Sequence, residues 1–452
     1  AEVLLDQKVH PTMIVQGYRL AADKAIEIVK SMAVSVNEGD RALLEKIART
    51  AMTGKLSESQ DSKMPAYAVE LVLNALEDYD GKKKFDMDRV NVEKKVGEST
   101  ADSAIIDGIV IDKEIVHQNM PRRIVNAKVA LLSAPIEAKD TETKTEVQIT
   151  SSTQFQQFME HEKARVREAA DKVIASGATA VFCQKGIDDL AQHYLADAGV
   201  LALRRVIKKD LDKLARATGG SIVTSLDELK PESLGTAALV EERRIGNGIM
   251  TFVSGTKNPA STLLLRGGTK QVLDGLERAL DDALHAVADV VEDGMLVPGG
   301  GAPEIELALQ LRGYAATLKG REQLAVTRFA EALEIVPKTL AENAGFDAID
   351  KVAEMKNMHG KNRNAGLNAY TGEVEDMLER GVVEPLRVKV QAILSATDAA
   401  CLIVRIDDVL ASTKKPPEGG PGGMPGGMPP GMGGMGGMGG MGGMGGMPPG
   451  MF

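Results

Sequence analysis

Apolar positions in the first part of the chain recur at three- and four-residue steps. Ile14, Tyr18, Ala21 or Ala22, Ala25, Ile28 and Val29 share one side of residues 13–32, and Leu43, Leu44, Ile47 and Met52 one side of residues 40–52. Both segments read as amphipathic helices. Residues 2–6 read as the tail of a further helix, broken at His10-Pro11-Thr12. Asn37-Glu38-Gly39-Asp40 reads as a turn, with Asp40 capping the second helix. Residues 66–76 form another apolar helix. From Val90 the texture changes. Residues 90–94 alternate as a strand does, 105–111 read as a buried strand, and 125–132 as another. Gly108 interrupts the second of these, and glycine inside a strand signals a bend or bulge. Residues 140–153 are polar and extended, and 153–176 form a strongly charged helix. Its apolar positions are Phe155, Phe158, Met159, Val166 and Val173, which read either as core or as an exposed edge that meets partners.

A strand–helix alternation follows. Strands at 180–183, 201–206 and 221–224 enclose helices at 188–198 and 208–218, which makes one α/β domain. Three more strands, at 238–242, 249–253 and 262–265, end at Gly267-Gly268. Residues 281–311 then read as helix, glycine-rich loop, helix. Leu280, Leu284, Val287 and Val291 line one face of the first helix, and Gly294 suits its C-cap. After the short apolar run 295–297 come Gly299, Gly300 and Gly301, then Pro303 in the first turn of the next helix. A glycine run opening a helix lets backbone approach a ligand and turns free N–H groups toward an anion. One reading is therefore a nucleotide site, with Asp282 on the neighbouring helix able to orient water. The other is a tight loop between packed helices, and so short a motif does not decide. Thr53-Gly54-Lys55 poses the same choice: a lysine near phosphate, or a plain C-cap, which the residues by themselves favour. Downstream, 322–342 reads as one long helix, 347–358 as another, and 366–370 as strand-like with a turn at Thr371-Gly372. Residues 385–400 read as a helix and 402–406 as the last strand. From Lys414 the chain is Gly, Met and Pro in Gly-Gly-Met repeats, which cannot build a core and are expected to be disordered.

These elements nest. Helical segments at both ends enclose an α/β centre, and the glycine-bearing strands at Gly108 and Gly267 mark entry and exit. A domain inserted in another is crossed twice, and paired crossings act as hinges. Composition changes this picture mainly by exclusion. A net charge of −10, with 3% aromatics and no Trp, argues against nucleic acid as a main partner. Cys183 and Cys401 lie too far apart in sequence for a disulfide framework and fit a reducing, cytoplasmic location. The six histidines show no pair at metal-ligand spacing. No apolar run approaches the roughly 18 residues of a membrane helix, and no signal peptide opens the chain. The first residue is Ala, inside a helical pattern, as in a chain whose start is missing.

Several long stretches agree with one family: VFCQKGIDDLAQHYL (181–195), RRVIKKDLDKLARATGG (204–220), LVEERRIG (239–246), GREQLAVTRFAEALEIVPKTLAENAGFDAI (320–349) and GVVEPLRVKVQAI (381–393). With the Gly-Gly-Met tail they resemble the archaeal group II chaperonins, the thermosome family, over essentially the whole chain. The resemblance implies a multidomain α+β and α/β architecture. A mainly helical equatorial domain would hold 1–38 and 296–413, and a small intermediate domain 39–108 and 259–295. An inserted α/β apical domain would hold 109–258, with a helical protrusion, the lid, at about 140–176, and 414–452 would be the disordered tail. It implies an ATPase of the cytoplasm that uses ATP and Mg²⁺, folds unfolded or partly folded protein clients, and stacks with copies of itself or paralogous subunits in a double ring. No nucleic acid or membrane partner is implied.

Residue by residue, the resemblance makes Asp282 the catalytic acid at the attacking water, with Asp281 its neighbour. Gly54 and Lys55 become a loop that senses the γ-phosphate, and Gly299, Gly300 and Gly301 the loop at the nucleotide. Asn368 and Ala369 become the base-contacting segment, Glu384 an acid near the ribose, and Lys389 a further ATP-binding residue. Gly108 and Gly267 become hinges, and Phe155, Phe158 and Met159 contacts for lid or client. One departure stands out. The family's phosphate loop, Gly-Asp-Gly-Thr-Thr, whose aspartate holds Mg²⁺, occurs nowhere in the 452 residues. No metal ligand is therefore assigned in this chain. The expectation is an ATP-dependent folding subunit that is inactive alone, the alternative being a client-binding protein without ATPase activity.

Overall fold

The computed structural model describes residues 1–37, 39–55, 63–137, 152–246, 248–258 and 260–406. Two units divide the chain, Ala1–Arg405 and Ile406–Phe452. Of the second only Ile406 is described, so the tail expected to be disordered lies outside the described residues, as do residues 138–151 of the expected protrusion.

The terminal helical part packs through small residues. The Pro11–Met32 helix buries Ile14, Tyr18, Ala21, Ala25, Ile28 and Val29. Its partners are the helices Ala302–Thr317, Glu322–Leu333 and Leu386–Val404. A Cβ on Gly17 would stand 2.4 Å from Ala325 Cβ, so Pro11–Met32 and Glu322–Leu333 touch almost backbone to backbone. Three sequence expectations are corrected here. The single helix over 322–342 is two, Glu322–Leu333 and Ile335–Asn343, because Pro337 has no N–H for the Leu333 carbonyl and its ring crowds that turn. The last strand, 402–406, is absent: residues 402–404 finish the Leu386–Val404 helix, which buries Cys401 and Val404 against Leu4, Ile14 and Val15. A short apolar run fits a helix end as well as a strand. The helix over 66–76 spans Met64–Asn74, and Leu76 opens a hairpin, Leu76–Tyr79 with Lys82–Phe85. Asp80 and Gly81 turn it, with φ of 50° and 74°, as a two-residue hairpin loop requires.

A small sheet stands at the centre. The strand Val90–Val96 runs parallel to Ser261–Gly267, whose other edge pairs antiparallel with Ala104–Asp107. From it the chain passes twice to a seven-stranded sheet, outward at Gly108 and back between Thr256 and Ser261. The strand expected over 105–111 is thus two, split at Gly108 between sheets. Gly108 N donates to Ala260 O at 2.8 Å. Ala260, not Gly267, is therefore the residue facing Gly108 at the crossing. Gly267 ends its strand beside Val96 and leads into the long helix Lys270–Asp293.

The large sheet runs in the order Ile109–Ile111, Gly248–Thr256, Gly235–Ile245, Arg123–Leu132, Ala180–Cys183, Leu201–Leu203, and its seventh strand, Ile222–Val223, pairs parallel with the end of Arg123–Leu132. Helices Ser152–Ala175 and Asp189–Asp197 cover one face through Val166, Ala170, Val173 and Leu195. The Lys208–Thr218 helix covers the other through Leu211 and Leu214. Only the second half of Ser152–Ala175 takes part. Every residue from Thr153 to Arg165 is exposed, Phe155, Phe158 and Met159 among them, so the apolar stripe divides between free edge and core.

Candidate nucleotide site

One apolar core fixes the frame. Leu44 and Ile47 of the Arg41–Met52 helix pack with Leu280, Leu284 and Val287 of Lys270–Asp293, with Leu296 and with Val383. Gly294, φ 67°, caps the long helix in the left-handed conformation expected of it. The strand Met295–Pro298 then pairs with Val383–Pro385 on one side and Val34–Ser35 on the other. Lys55, just past the end of Arg41–Met52, and Asp282, mid-way along the long helix, hang from this frame toward each other. Lys55 Nζ forms an ion pair with Asp282 Oδ2 and donates to Ala51 O at 3.0 Å. The pair is open to solvent, with 35% of the lysine side chain and 58% of the aspartate exposed. Asp281 points elsewhere: its Oδ1 lies 3.7 Å from His285 Nδ1 one turn along. The two adjacent acids are separated as a helix separates neighbours.

The glycine loop sits under tight constraint from its own chain. Gly299 N donates to Val382 O at 2.8 Å, and Gly300 O accepts from Leu367 N at 2.9 Å. Gly300 and Gly301 have φ of 63° and 77°. A Cβ on Gly300 would lie 2.7 Å from Met377 Sδ, and one on Gly301 2.8 Å from Pro337 Cβ. Close packing alone therefore accounts for two of the three glycines. Asn368 is similarly occupied. Its Nδ2 donates to Glu375 Oε1 at 2.6 Å and its Oδ1 accepts from Tyr370 N at 3.0 Å, which shapes the turn between strands Ala365–Leu367 and Val374–Asp376. Ala369 rides on that turn, half-buried.

Glu384 and Lys389 meet. Lys389 Nζ lies 2.9 Å from Glu384 Oε2 and 2.7 Å from Glu304 Oε1. Burial alone would lower the lysine, but the two carboxylates outweigh it and raise it above the ordinary ammonium range. Glu304 was not singled out in the sequence. An acid in the first turn after a glycine run is an ordinary helix start, and nothing in the pattern marks it as buried, which it is. Its second oxygen has no partner among the described residues.

The structure thus brings Lys55 and Asp282 together from distant parts of the chain, and Glu384, Lys389 and Glu304 into a second cluster. Lys55 and Asp282 fit a phosphate and an attacking water. Among the described residues no group of three or more His, Cys, Asp or Glu side chains could hold a metal ion. No described helix is long and apolar enough to cross a membrane.

Comparison with known proteins gives a consistent picture. The profile of the TCP-1/cpn60 chaperonin family matches residues 1–414. A thermosome subunit of Methanopyrus kandleri is 52% identical over 414 residues, which is 91% of this chain and 76% of that protein. Thermosome subunit beta of Archaeoglobus fulgidus shows the same identity and coverage. Among solved structures, the open-state monomer of a group II chaperonin from Methanococcoides burtonii aligns with a TM-score of 0.69 and 48% identity, over 90% of this chain and 95% of its own. On this evidence the chain belongs to the TCP-1/cpn60 chaperonin family.

Proposed function

We propose that this chain is an ATP-dependent protein-folding subunit of a double-ring chaperonin with a built-in lid, acting on unfolded protein in the cytoplasm. The observation that carries the client-binding part is the free half of Ser152–Ala175. There Phe155, Phe158 and Met159 are 52%, 46% and 37% exposed at i, i+3 and i+4 of one helix. Such a stripe suits the scattered apolar side chains of a chain that has not folded. In this reading 1–38 and 296–413 form the equatorial domain, 39–108 and 259–295 the intermediate one, and 109–258 the apical one. Gly108 serves one hinge in this reading and Gly267 the other, at the far end of Ser261–Gly267 where the chain enters the long helix rather than opposite Gly108. Phe155→Ser, Phe158→Ser and Met159→Ser combined should cut suppression of aggregation of a chemically unfolded protein at least about tenfold, since each buried apolar side chain contributes about 1.5–3 kcal/mol. Equal suppression by the triple variant, followed by light scattering, would remove the stripe from the client site.

For the nucleotide part, bound ATP supplies the phosphoryl group. Lys55 Nζ can swing from Asp282 toward a γ-phosphate, and the carboxylate so released can accept a hydrogen bond from water and orient it in line, the task phosphoryl transfer leaves to a side chain. The glycine loop, Asn368, Ala369, Glu384 and Lys389 form the adjoining wall in this reading. The absence of Gly-Asp-Gly-Thr-Thr from the sequence favours a second reading for the chain on its own, a client-binding protein without ATPase activity. The 452-residue chain should then show neither steady ATP turnover nor a stable double ring. Turnover that disappears in Asp282→Ala would refute this and restore the full ATPase cycle to the chain.

A further inference from the structure

The helices Pro11–Met32, Ala302–Thr317, Glu322–Leu333 and Leu386–Val404 do not close on one another completely. Between them lies a cavity of about 470 Å³. Its walls are mostly apolar, with Tyr18, Leu307, Phe329, Leu333 and Ile393 drawn from all of these helices. Tyr18 and Phe329 meet edge to face, their ring centroids 5.8 Å apart, so part of the wall is a packed aromatic pair. Ala396 and Val336 also line the cavity and are exposed, so it opens to water. A space of this size, with apolar walls and few polar groups, has the usual form of a small-molecule site.

The polar groups decide what it would take. Glu304 and Lys389 are the charged side chains that line it. Lys389 Nζ is already paired, with Glu304 Oε1 at 2.7 Å and Glu384 Oε2 at 2.9 Å. Thr397 donates its hydroxyl proton to Ile393 O at 2.6 Å. Glu304 Oε2 is left over. The Glu304 side chain is 8% exposed, and this oxygen is buried without a partner among the described residues. A buried acceptor that lacks a donor is unfavourable, and against apolar walls a water would find few further partners. Two carboxylates against one ammonium also leave one negative charge in excess.

We propose that this cavity is a binding site for a small amphiphilic amine, with an alkyl or arylalkyl body between the helices and a primary ammonium that donates to Glu304 Oε2. The chemistry selects among amphiphiles. An ammonium supplies both the missing donor and the missing positive charge, and a charge-assisted hydrogen bond is roughly twice as strong as a neutral one. An alcohol of the same length supplies the donor alone. A carboxylate supplies neither, and meets Glu304 as a like charge. No nucleotide takes part, so the site stands apart from the ATP reading.

Isothermal titration of the full chain with decylamine, decanol and decanoate, without nucleotide and below micelle-forming concentrations, tests this. Decylamine should bind about tenfold more tightly than decanol, and decanoate should not bind. Glu304→Gln should weaken decylamine by about tenfold and leave decanol as it was, which removes the preference. Ala396→Phe fills the cavity from an exposed position, outside the packed core, and should abolish binding of amine and alcohol alike. Decylamine binding that Glu304→Gln leaves unchanged would overturn the site. So would decanoate bound as tightly as decylamine, the mark of unselective adsorption. A chain that binds none of the three would overturn it as well, and a changed size of Ala396→Phe on a sizing column would then show that a second copy fills the cavity.

Discussion

Lys389→Met should lower the unfolding free energy by about 3–5 kcal/mol, the range for removing one partner of a buried ion pair. Methionine keeps most of the stem, so the loss is of charge rather than bulk. The lysine side chain is 14% exposed and that of Glu304 8%. Once the ammonium is gone, Glu304 and Glu384 face each other with no cation between them. The lysine holds its proton more tightly in the folded chain than in the unfolded one. Its contribution is therefore full below the ordinary lysine value of about 10.4 and fades only as the pH climbs beyond it. The variant behaves in the opposite sense. Its deficit belongs to the carboxylates, so it should shrink as the pH falls toward the carboxylate range, and Glu304→Gln added to Lys389→Met should recover part of it. Urea unfolding at pH 7 and pH 5 reads both effects. A loss below about 1 kcal/mol at pH 7, in the range of exposed pairs, would mean that water screens the cluster.

Gly108→Ala comes second, at about 3 kcal/mol, the upper end for a backbone conformation closed to L residues. The φ of Gly108 is 111°. A Cβ there would stand 2.1 Å from Val253 O and 2.9 Å from Ser254 Cα, both backbone atoms of a neighbouring strand. The glycine cannot move away from them. Its N–H is bonded to Ala260 O at 2.8 Å and its carbonyl to Thr262 Oγ1 at 2.7 Å. Gly268→Ala is the control, since a Cβ at Gly268 meets nothing within 4 Å, and surface changes of that kind stay within about 0.5 kcal/mol. Thermal unfolding of the three chains, side by side, settles the matter, and equal midpoints for the two variants would refute the argument.

What the sequence reveals and conceals follows from the range of the interactions involved. The Lys270–Asp293 helix and its stop at Gly294 were legible because helix period and C-cap are local. The split at Pro337 was equally local and was passed over, since the apolar spacing on either side of the proline stays in phase. The Leu76–Phe85 hairpin hides because its strands are mostly charged, so only Asp80-Gly81 announces it. At the candidate site, spacing could name Lys55 and Asp282 singly, but only a folded frame brings together two groups 227 residues apart. The same holds for Glu304, which looks like any helix-start acid until Lys389 arrives from another helix. For Phe155, Phe158 and Met159 the pattern gave the stripe, and whether it is covered is a matter of tertiary structure.

The exposed half of Ser152–Ala175 also works as a lever arm. At about 1.5 Å of rise per residue, Thr153 stands roughly 20 Å beyond Val166, where the helix meets the sheet. Turning the large sheet by ten degrees would therefore swing the tip by at least about 3 Å relative to the helix base, on the same rise per residue. A rotation of a few degrees at the base is thus magnified at Phe155, which stands near the outer end of the arm.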